Sequence, residues 1–185
     1  MLPNLSKLFE YVINERLTSH VESTGLIVDN QHGFRTGRSC STAHVVLTQD
    51  IFKSLEKRNT IVIACFIDIK QAFQNILHCL LIEDLVHIFK VPSGLVLIIF
   101  SFLSEREFVI KIGNFMSQSF KDGRGTAQGT VNGPLLFVLF FNKVATILSD
   151  CWLAFADDLL IYIECTNVSD GLLRMQTSLL RLDAW

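Results

Sequence analysis

The chain has 185 residues, of which 50% are apolar and 18% are charged, and its 16 basic and 18 acidic side chains give a formal net charge of −2. Ordinary soluble domains carry about 25% charged residues, so this sequence is rich in core-forming side chains. Three prolines and ten glycines exclude the composition of a disordered or collagen-like chain.

Hydrophobic periodicity predicts two helices near the N-terminus with a loop between them. Apolar residues recur at helical spacing from Leu5 to Leu17, which indicates an amphipathic helix. The loop Gly33–Ser41 contains glycine and arginine and leads into a second helix from about Thr42 to Lys57. Ser39 or Ser41 is its expected N-cap.

The middle of the chain alternates strand and helix patterns. The β-branched and aromatic segment Thr60–Ile67 predicts a strand that is covered on both faces. Helices are expected around Leu77–Phe89 and Gly94–Leu103. The segments Phe108–Ile112 and Phe115–Phe120, joined by a Gly-Asn pair, predict a hairpin.

The C-terminal third predicts a helix followed by two strands. Pro134 suits the first turn of a helix that runs to about Leu148. The apolar segments Cys151–Ala156 and Leu159–Ile163 indicate strands on either side of Asp157 and Asp158.

No segment has the length of a membrane span. A spanning helix needs about 20 predominantly apolar residues, and the longest candidates are Gly94–Leu103 and Gly133–Phe141. Charged residues interrupt the N-terminal segment, unlike a signal peptide. The sequence therefore predicts an intracellular protein with no membrane partner.

Charge is unevenly distributed along the chain. Between Gln31 and Arg58 there are five basic and two acidic residues, a local balance of +3. Between Val144 and Leu173 there are five acidic residues and no basic one. This asymmetry is expected if one segment holds phosphates and the other holds cations.

The adjacent acids Asp157 and Asp158 are unusual between two strands, because two-residue turns favour Asn-Gly or Gly-containing pairs. Two carboxylates about 4 Å apart repel by about 4 kcal/mol at an effective dielectric constant near 20. A bound Mg²⁺ or Mn²⁺ would remove this repulsion. A solvated turn is the alternative interpretation.

A third carboxylate, Asp68, follows the strand Thr60–Ile67, where packing does not require a charge. If this strand pairs with the strands around Asp157, the three carboxylates could hold two cations about 3.5–4 Å apart, as phosphoryl transfer requires. The sequence leaves this pairing open. The Gly-rich loop Gly125–Pro134 could bring backbone amides close to a base or phosphate, or could simply begin the next helix.

Four segments in order resemble the consecutive fingers and palm motifs of reverse transcriptases from non-LTR (LINE-type) retrotransposons: GFRTGRSCSTAH, FIDIKQAFQNILH, GTAQGTVNGPLLFVLFFNK and FADDLLIY. The resemblance extends from about Leu5 to Trp185. It implies an α+β right-hand polymerase fold, with a partial fingers segment in residues 1–59 and a ferredoxin-like antiparallel palm sheet with packed helices in residues 60–185.

The resemblance also implies an activity and partners. The activity is RNA-directed DNA polymerisation by nucleotidyl transfer from a dNTP to a primer 3′-hydroxyl, with two Mg²⁺ ions as cofactor and Mn²⁺ as a substitute. The partners are an RNA template, a DNA primer and dNTPs, and a nuclear location is expected. The thumb and the upstream fingers segments of a longer polyprotein would be absent from this chain.

The resemblance assigns the three acids to the catalytic metal site. Asp68 corresponds to the metal ligand on the first palm strand, and Asp157 to the metal ligand of the hairpin. Asp158 is the second member of the hairpin pair.

Five further residues correspond to positions near the incoming nucleotide. Phe73 lies at the aromatic position beneath the sugar, where a ring excludes a 2′-hydroxyl; a core phenylalanine is the alternative. Gln128 and Gly129 correspond to the loop that lines the nucleotide and template pocket. Arg35 and Arg38 correspond to the fingers segment that contacts triphosphate or template, although a solvated loop is also compatible with them.

The chain departs from the family pattern at Gln71, Gln74, Ala127, Asn132 and Lys143. No metal ligand is lost, but the nucleotide pocket is expected to be looser. Two other readings stay open: an inactive retrotransposon remnant that at most binds nucleic acid or protein, and an RRM-like binding module, in which clustered aspartates would repel phosphate. His32 and His78 are expected to be structural or surface residues.

Overall fold

A computed structural model of the chain describes residues 4–104, 107–121, 123–126 and 129–185. Within these residues the helices are α1 (Asn4–Thr24), α2 (Cys40–Leu55), α3 (His78–His87), α4 (Ser93–Leu103), α5 (Gly133–Phe141), α6 (Val144–Ile147) and α7 (Val168–Asp183). The strands are β1 (Ile61–Asp68), β2 (Glu107–Phe108), β3 (Lys111–Ile112), β4 (Phe115–Met116), β5 (Phe120–Lys121), β6 (Cys151–Phe155) and β7 (Asp158–Cys165). The predicted mixture of helices with an antiparallel sheet is confirmed.

The chain forms two compact units, each built from two stretches of sequence. The first unit comprises Met1–Leu26 and Gln71–Phe140, and the second comprises Ile27–Lys70 and Phe141–Trp185. The second unit holds the main sheet and the three predicted catalytic acids.

In the first unit, α1 is confirmed as a helix, but only the C-terminal part of its predicted apolar stripe is buried. Its buried apolar residues are Ile13, Leu17 and Val21, whereas Leu5 and Phe9 are 80% and 57% exposed. The buried stripe therefore follows the C-terminal half of the helix at i, i+4 spacing. Other fully buried side chains of this unit come from α3, α4 and α5: Leu81, Leu85, Ile99, Leu103, Leu136 and Leu139.

The main sheet has the strand order β1-β7-β6, with both pairs antiparallel. The pairing of the Asp68 strand with the Asp157 hairpin, which the sequence left open, is thus present. The prediction that β1 is covered on both faces is wrong. Because β1 lies at an edge of the sheet, Phe66 is 80% exposed, whereas the central strand β7 is buried over most of its length.

One helix packs on each face of this sheet. On one face, Val46 and Leu47 of α2 contact a core cluster of Leu153, Leu160 and Tyr162. On the other face α7 approaches so closely that a Cβ on Gly171 would lie 2.6 Å from Cys165 Sγ and 2.7 Å from Ile63 Cδ1. The sheet therefore has one helix on each face, although β1 is only partly covered.

Several predicted boundaries shift in the structure. Ser39 is confirmed as the N-cap of α2, in a capping box with Thr42, so the helix begins at Cys40. The Gly113-Asn114 hairpin is confirmed, with β3-β4 next to the turn and β2-β5 beyond it. The predicted single helix to Leu148 is wrong, because it is interrupted between α5 and α6, where Asn142 Oδ1 accepts the Val28 N–H at 2.9 Å.

Across the described residues, the longest apolar helical stretches fall short of what a bilayer crossing requires. This agrees with the sequence prediction that the chain has no membrane-spanning helix.

Candidate catalytic site

The three acids lie at one end of the main sheet in the second unit. Asp68 is the last residue of β1 and pairs with Asp158, the first residue of β7. Asp158 in turn lies opposite Phe155, the last residue of β6. Directly opposite residues of antiparallel strands have Cβ atoms about 4.5–5.5 Å apart and share a face. The fold therefore brings the carboxylates of Asp68 and Asp158 together.

The hairpin turn is one residue earlier than predicted. Its two loop residues are Ala156 and Asp157, since β6 ends at Phe155 and β7 begins at Asp158. Ala156 has a φ of 58°, a left-handed conformation that costs a residue with a side chain about 1 kcal/mol. The first turn position is thus strained, and Asp157 follows it directly.

The three carboxylates are accessible to solvent. Asp68 and Asp158 are exposed and Asp157 is half-buried. None of them makes a side-chain hydrogen bond or ion pair with another described residue. Within the described parts of the chain, no group of three or more His, Cys, Asp or Glu side chains is placed closely enough to hold a metal ion.

The donor chemistry of this end of the sheet fits a hard divalent cation. Both members of the Asp68–Asp158 pair offer oxygen, which is the ligand that Mg²⁺ and Mn²⁺ prefer. Like charges directly opposite each other on a sheet are destabilising, and neither carboxylate forms an ion pair with a described residue. A bound cation would remove this repulsion.

A cavity of about 470 Å³ lies between the first turns of α2 and the sheet, next to these acids. Asp68 and Asp158 form part of its lining, and most of the remainder is apolar, including Leu47, Phe66 and Phe155. Apolar walls lower the local dielectric constant, so the charge of the two carboxylates acts more strongly on a group that enters the cavity.

Phe73 and Gly129, two of the predicted nucleotide-site residues, lie in the first unit. Phe73 is half-buried and its ring centroid lies 5.0 Å from that of Phe137. Its carbonyl accepts the Thr126 N–H at 3.0 Å, which ties the Gly-rich loop to the segment that carries Phe73. Gly129 is exposed with a φ of 78°, whereas Gln128, and with it Ala127, lies outside the described residues.

Arg35 and Arg38 brace their own loop in the second unit. Arg35 donates to the carbonyl of Val28 at 2.8 Å. Arg38 donates to the carbonyl of Asp29 at 2.7 Å and forms an ion pair with the Asp29 carboxylate. Both guanidinium groups therefore fix the segment that precedes α2.

His32 and His78 are both buried, so the surface alternative does not apply to them. His78 is buried, with Nε2 2.7 Å from the carbonyl oxygen of Gly125. His32 is buried, with Nδ1 2.8 Å from Thr42 Oγ1, and its Nε2 has no hydrogen-bond partner among the described residues. Burial, followed by the nearby charges of Arg38 and Arg35, lowers the pKa of His32.

The lowered pKa of His32 predicts a loss of stability in mild acid. Below the ordinary histidine pKa of about 6.5, His32 is protonated in the unfolded chain but stays neutral in the folded chain. The free energy of unfolding therefore falls as the pH falls. In urea titrations between pH 7.5 and 5, His32→Gln is expected to flatten this decline by less than about 1.4 kcal/mol per pH unit, the limit for one proton. His87→Gln, at an exposed position of α3, serves as control. An unchanged slope in His32→Gln would contradict the prediction.

The structure also reveals residues that sequence reasoning missed. The Gln31 side chain is 1% exposed and bonds to both backbone polar groups of Ala156. In the first unit, Glu10 Oε2 accepts the Val131 N–H at 2.6 Å, and Asn14 Nδ2 donates to the Val131 carbonyl at 3.3 Å. These contacts span more than 110 residues, and no local pattern marks them.

Comparison with known proteins places this geometry in a class. A solved structure of apo telomerase from Candida tropicalis, truncated from its C-terminal domain, superposes with a TM-score of 0.62 at 17% sequence identity. The match covers 91% of this chain and 35% of that chain. The chain therefore shares its fold with the matched part of telomerase.

The family itself is established by sequence. The profile described as "Reverse transcriptase (RNA-dependent DNA polymerase)" matches residues 1–182. The chain belongs to the reverse transcriptase family, whose members use divalent metal ions, and the resemblance found in its motifs is confirmed.

Relatives from Drosophila melanogaster agree with this assignment. The probable RNA-directed DNA polymerase from transposon BS is 31% identical over the whole chain, and that from transposon X-element is 28% identical over the whole chain. The RNA-directed DNA polymerase from mobile element jockey is 30% identical over 79% of the chain and 16% of its own length. The chain spans about a fifth (21%) of the first two relatives.

Proposed function

We propose that this chain provides the nucleotidyl-transfer site of an RNA-directed DNA polymerase, which extends a DNA primer on an RNA template with dNTPs. The observation that carries the proposal is the register of β1 and β7, which places Asp68 directly opposite Asp158. Asp157 immediately precedes Asp158 in the chain. Because members of the reverse transcriptase family use divalent metal ions, we assign metal binding to these carboxylates.

In the proposal, Asp68, Asp157 and Asp158 hold two divalent ions, Mg²⁺ or Mn²⁺. When bound, such ions lower the pKa of the attacking 3′-hydroxyl and stabilise the charge on the departing pyrophosphate. The carboxylates suit this role because they are accessible and are not neutralised by a described cationic side chain.

Nucleotide selection is assigned to the remaining predicted residues. Phe73 would contact the sugar, and Gln128 and Gly129 would line the base and template pocket. The hydrogen bond from the Thr126 N–H to the Phe73 carbonyl supports this assignment, because it joins the Gly-rich loop to the segment that carries Phe73. Arg35 and Arg38 would contact the triphosphate or template, and their bonds to the Val28–Asp29 backbone would hold them ready for it.

The proposed architecture is that of polymerase fingers, residues 1–59, and palm, residues 60–185. A ferredoxin-like palm is compatible with the order β1-β7-β6 and with helices on both faces. A nuclear location remains a prediction of the family resemblance.

The test is primer extension by this chain on an RNA template with dNTPs and Mg²⁺. We expect Mg²⁺-dependent extension, and a loss of at least about 1,000-fold in Asp157→Asn, since metal-assisted charge stabilisation supplies several kcal/mol to such reactions. Asp183→Asn, the same substitution at an exposed position at the end of α7, should extend primers normally. Extension that Asp157→Asn leaves intact would refute the proposed site.

A further inference from the structure

We infer that Gln31 is the positioning residue for the hairpin that carries Asp157 and Asp158. This inference rests on the proposed function, because it assigns to Gln31 a role in placing the metal-binding carboxylates. Gln31 precedes the segment GFRTGRSCSTAH and lies 125 residues away from the turn that it contacts.

The side-chain amide of Gln31 makes three hydrogen bonds to backbone groups. Its Nε2 donates to the carbonyl of Ala156 at 3.1 Å, and its Oε1 accepts the N–H of Ala156 at 3.0 Å. The same Oε1 accepts the N–H of Gly33 at 2.8 Å. This side chain is 1% exposed, and its hydrogen bonds join one residue of the turn, Ala156, to one residue of its own loop, Gly33.

The contacted residue is the strained one. Ala156 adopts a φ of 58°, and such a conformation persists in a residue with a side chain only where its surroundings hold it. The carbonyl of Ala156 belongs to the peptide group that ends in the nitrogen of Asp157. By bonding to both backbone groups of Ala156, Gln31 fixes the peptide planes from which Asp157 projects.

Gln31 can act as a fixed support because its own backbone is anchored to β6. The Ala154 N–H donates to the carbonyl of Asn30 at 2.8 Å, and the His32 N–H donates to the carbonyl of Ala154 at 2.8 Å. These bonds form a short parallel bridge between Gln31 and Ala154. Gln31 therefore reaches from the edge of the sheet to the turn without crossing a flexible segment.

Asn30 offers a matched control for a merely structural role. Its Nδ2 donates to the carbonyl of Trp152 at 2.6 Å, so it too is a side-chain amide that joins the same segment to β6. Its bond lies four residues before Ala156 and does not touch the turn. Loss of the Asn30 bond should affect stability without affecting the acids.

The experiment measures Mn²⁺ binding to the chain by the loss of the free-ion EPR signal, in wild type, Gln31→Met and Asn30→Ala. Supporting contacts behind metal ligands change metal affinity by about 10- to 100-fold. We expect Gln31→Met to weaken Mn²⁺ binding about tenfold and Asn30→Ala to bind like wild type. Gln31→Asn, which keeps the amide but shortens its reach, should weaken binding as well, and it replaces Gln31→Met if that variant does not fold.

A second readout separates this inference from the proposed function. Amide hydrogen exchange of residues 155–158 should accelerate in the Gln31 variants and stay slow in Asn30→Ala, whether or not metal binds. If wild type binds no Mn²⁺ and Asp157→Asn changes nothing, the proposed metal site fails, while selective acceleration of exchange still supports Gln31 as the residue that holds the turn. Unchanged exchange in folded Gln31 variants, or equal loss of Mn²⁺ binding in Asn30→Ala, would overturn the inference.

Discussion

Gly33→Ala is expected to destabilise the chain by about 3 kcal/mol, as measured by urea denaturation followed by circular dichroism. A Cβ on this buried residue would lie 2.1 Å from the backbone nitrogen of Ala156 and 2.7 Å from its Cα. Both contacts are with backbone, which cannot rotate away, and overpacking of this kind costs about 1–3 kcal/mol or more. A displaced Gly33 would also lose its bond to Gln31 Oε1.

Gly37→Ala separates the steric effect from the conformational one. Gly37 lies in the same loop with a φ of 72°, and a Cβ there would meet nothing within 4 Å. Only the cost of a left-handed alanine, about 1 kcal/mol, is expected. If Gly33→Ala is no more destabilising than Gly37→Ala, the close approach of Gly33 to the backbone of Ala156 does not exist in solution.

The elements that bear the motifs could be predicted from local sequence. Helical spacing predicted α1, α3 and α4, the start of α2 was narrowed to the N-cap candidates Ser39 and Ser41, and the Gly-Asn pair predicted the hairpin turn. These features depend on residues within one or two turns of each other, which is the range over which periodicity and capping act.

The position of the turn between β6 and β7 could not be predicted in the same way. Local chemistry disfavours Ala156 with a positive φ, and the apolar strand patterns on either side placed Asp157 and Asp158 in the predicted loop. A buried amide and a glycine from residues 31–33 instead hold Ala156 in the strained conformation. Tertiary contacts between residues 125 positions apart in the sequence override the local preference. The sequence near the turn carries no pattern that predicts these contacts.

The edge position of β1 in the sheet could not be predicted from the sequence for a related reason. A continuous apolar segment predicts burial, but which strand occupies the centre of a sheet depends on partners elsewhere in the chain. The sequence shows the apolar character of Phe66 and not its 80% exposure.

Asp68→Asn is expected to abolish primer extension, with a loss of at least about 1,000-fold, and at the same time to stabilise the metal-free chain. Asp68 lies directly opposite Asp158, and like charges in this cross-strand position are destabilising by about 0.2–1 kcal/mol. An asparagine removes the repulsion and also removes an anionic oxygen ligand. The free energy of unfolding, measured in EDTA by urea titration, should therefore rise by about 0.5 kcal/mol while activity is lost.

Addition of Mg²⁺ should reverse the order of stability. An ion that binds only the folded state stabilises it by RT ln(1 + [L]/Kd), which is about 2.7 kcal/mol at 100 times Kd. Wild type gains this contribution and Asp68→Asn loses most of it. Asp170→Asn provides the matched control, because Asp170 is an exposed acid in the first turn of α7. Its loss should cost about 0.3–1 kcal/mol of helix-dipole stabilisation, independently of Mg²⁺. If Asp68→Asn destabilised the metal-free chain as Asp170→Asn does, the carboxylates of β1 and β7 would not face each other. The end of the sheet would then lack the carboxylate repulsion that a bound cation would relieve.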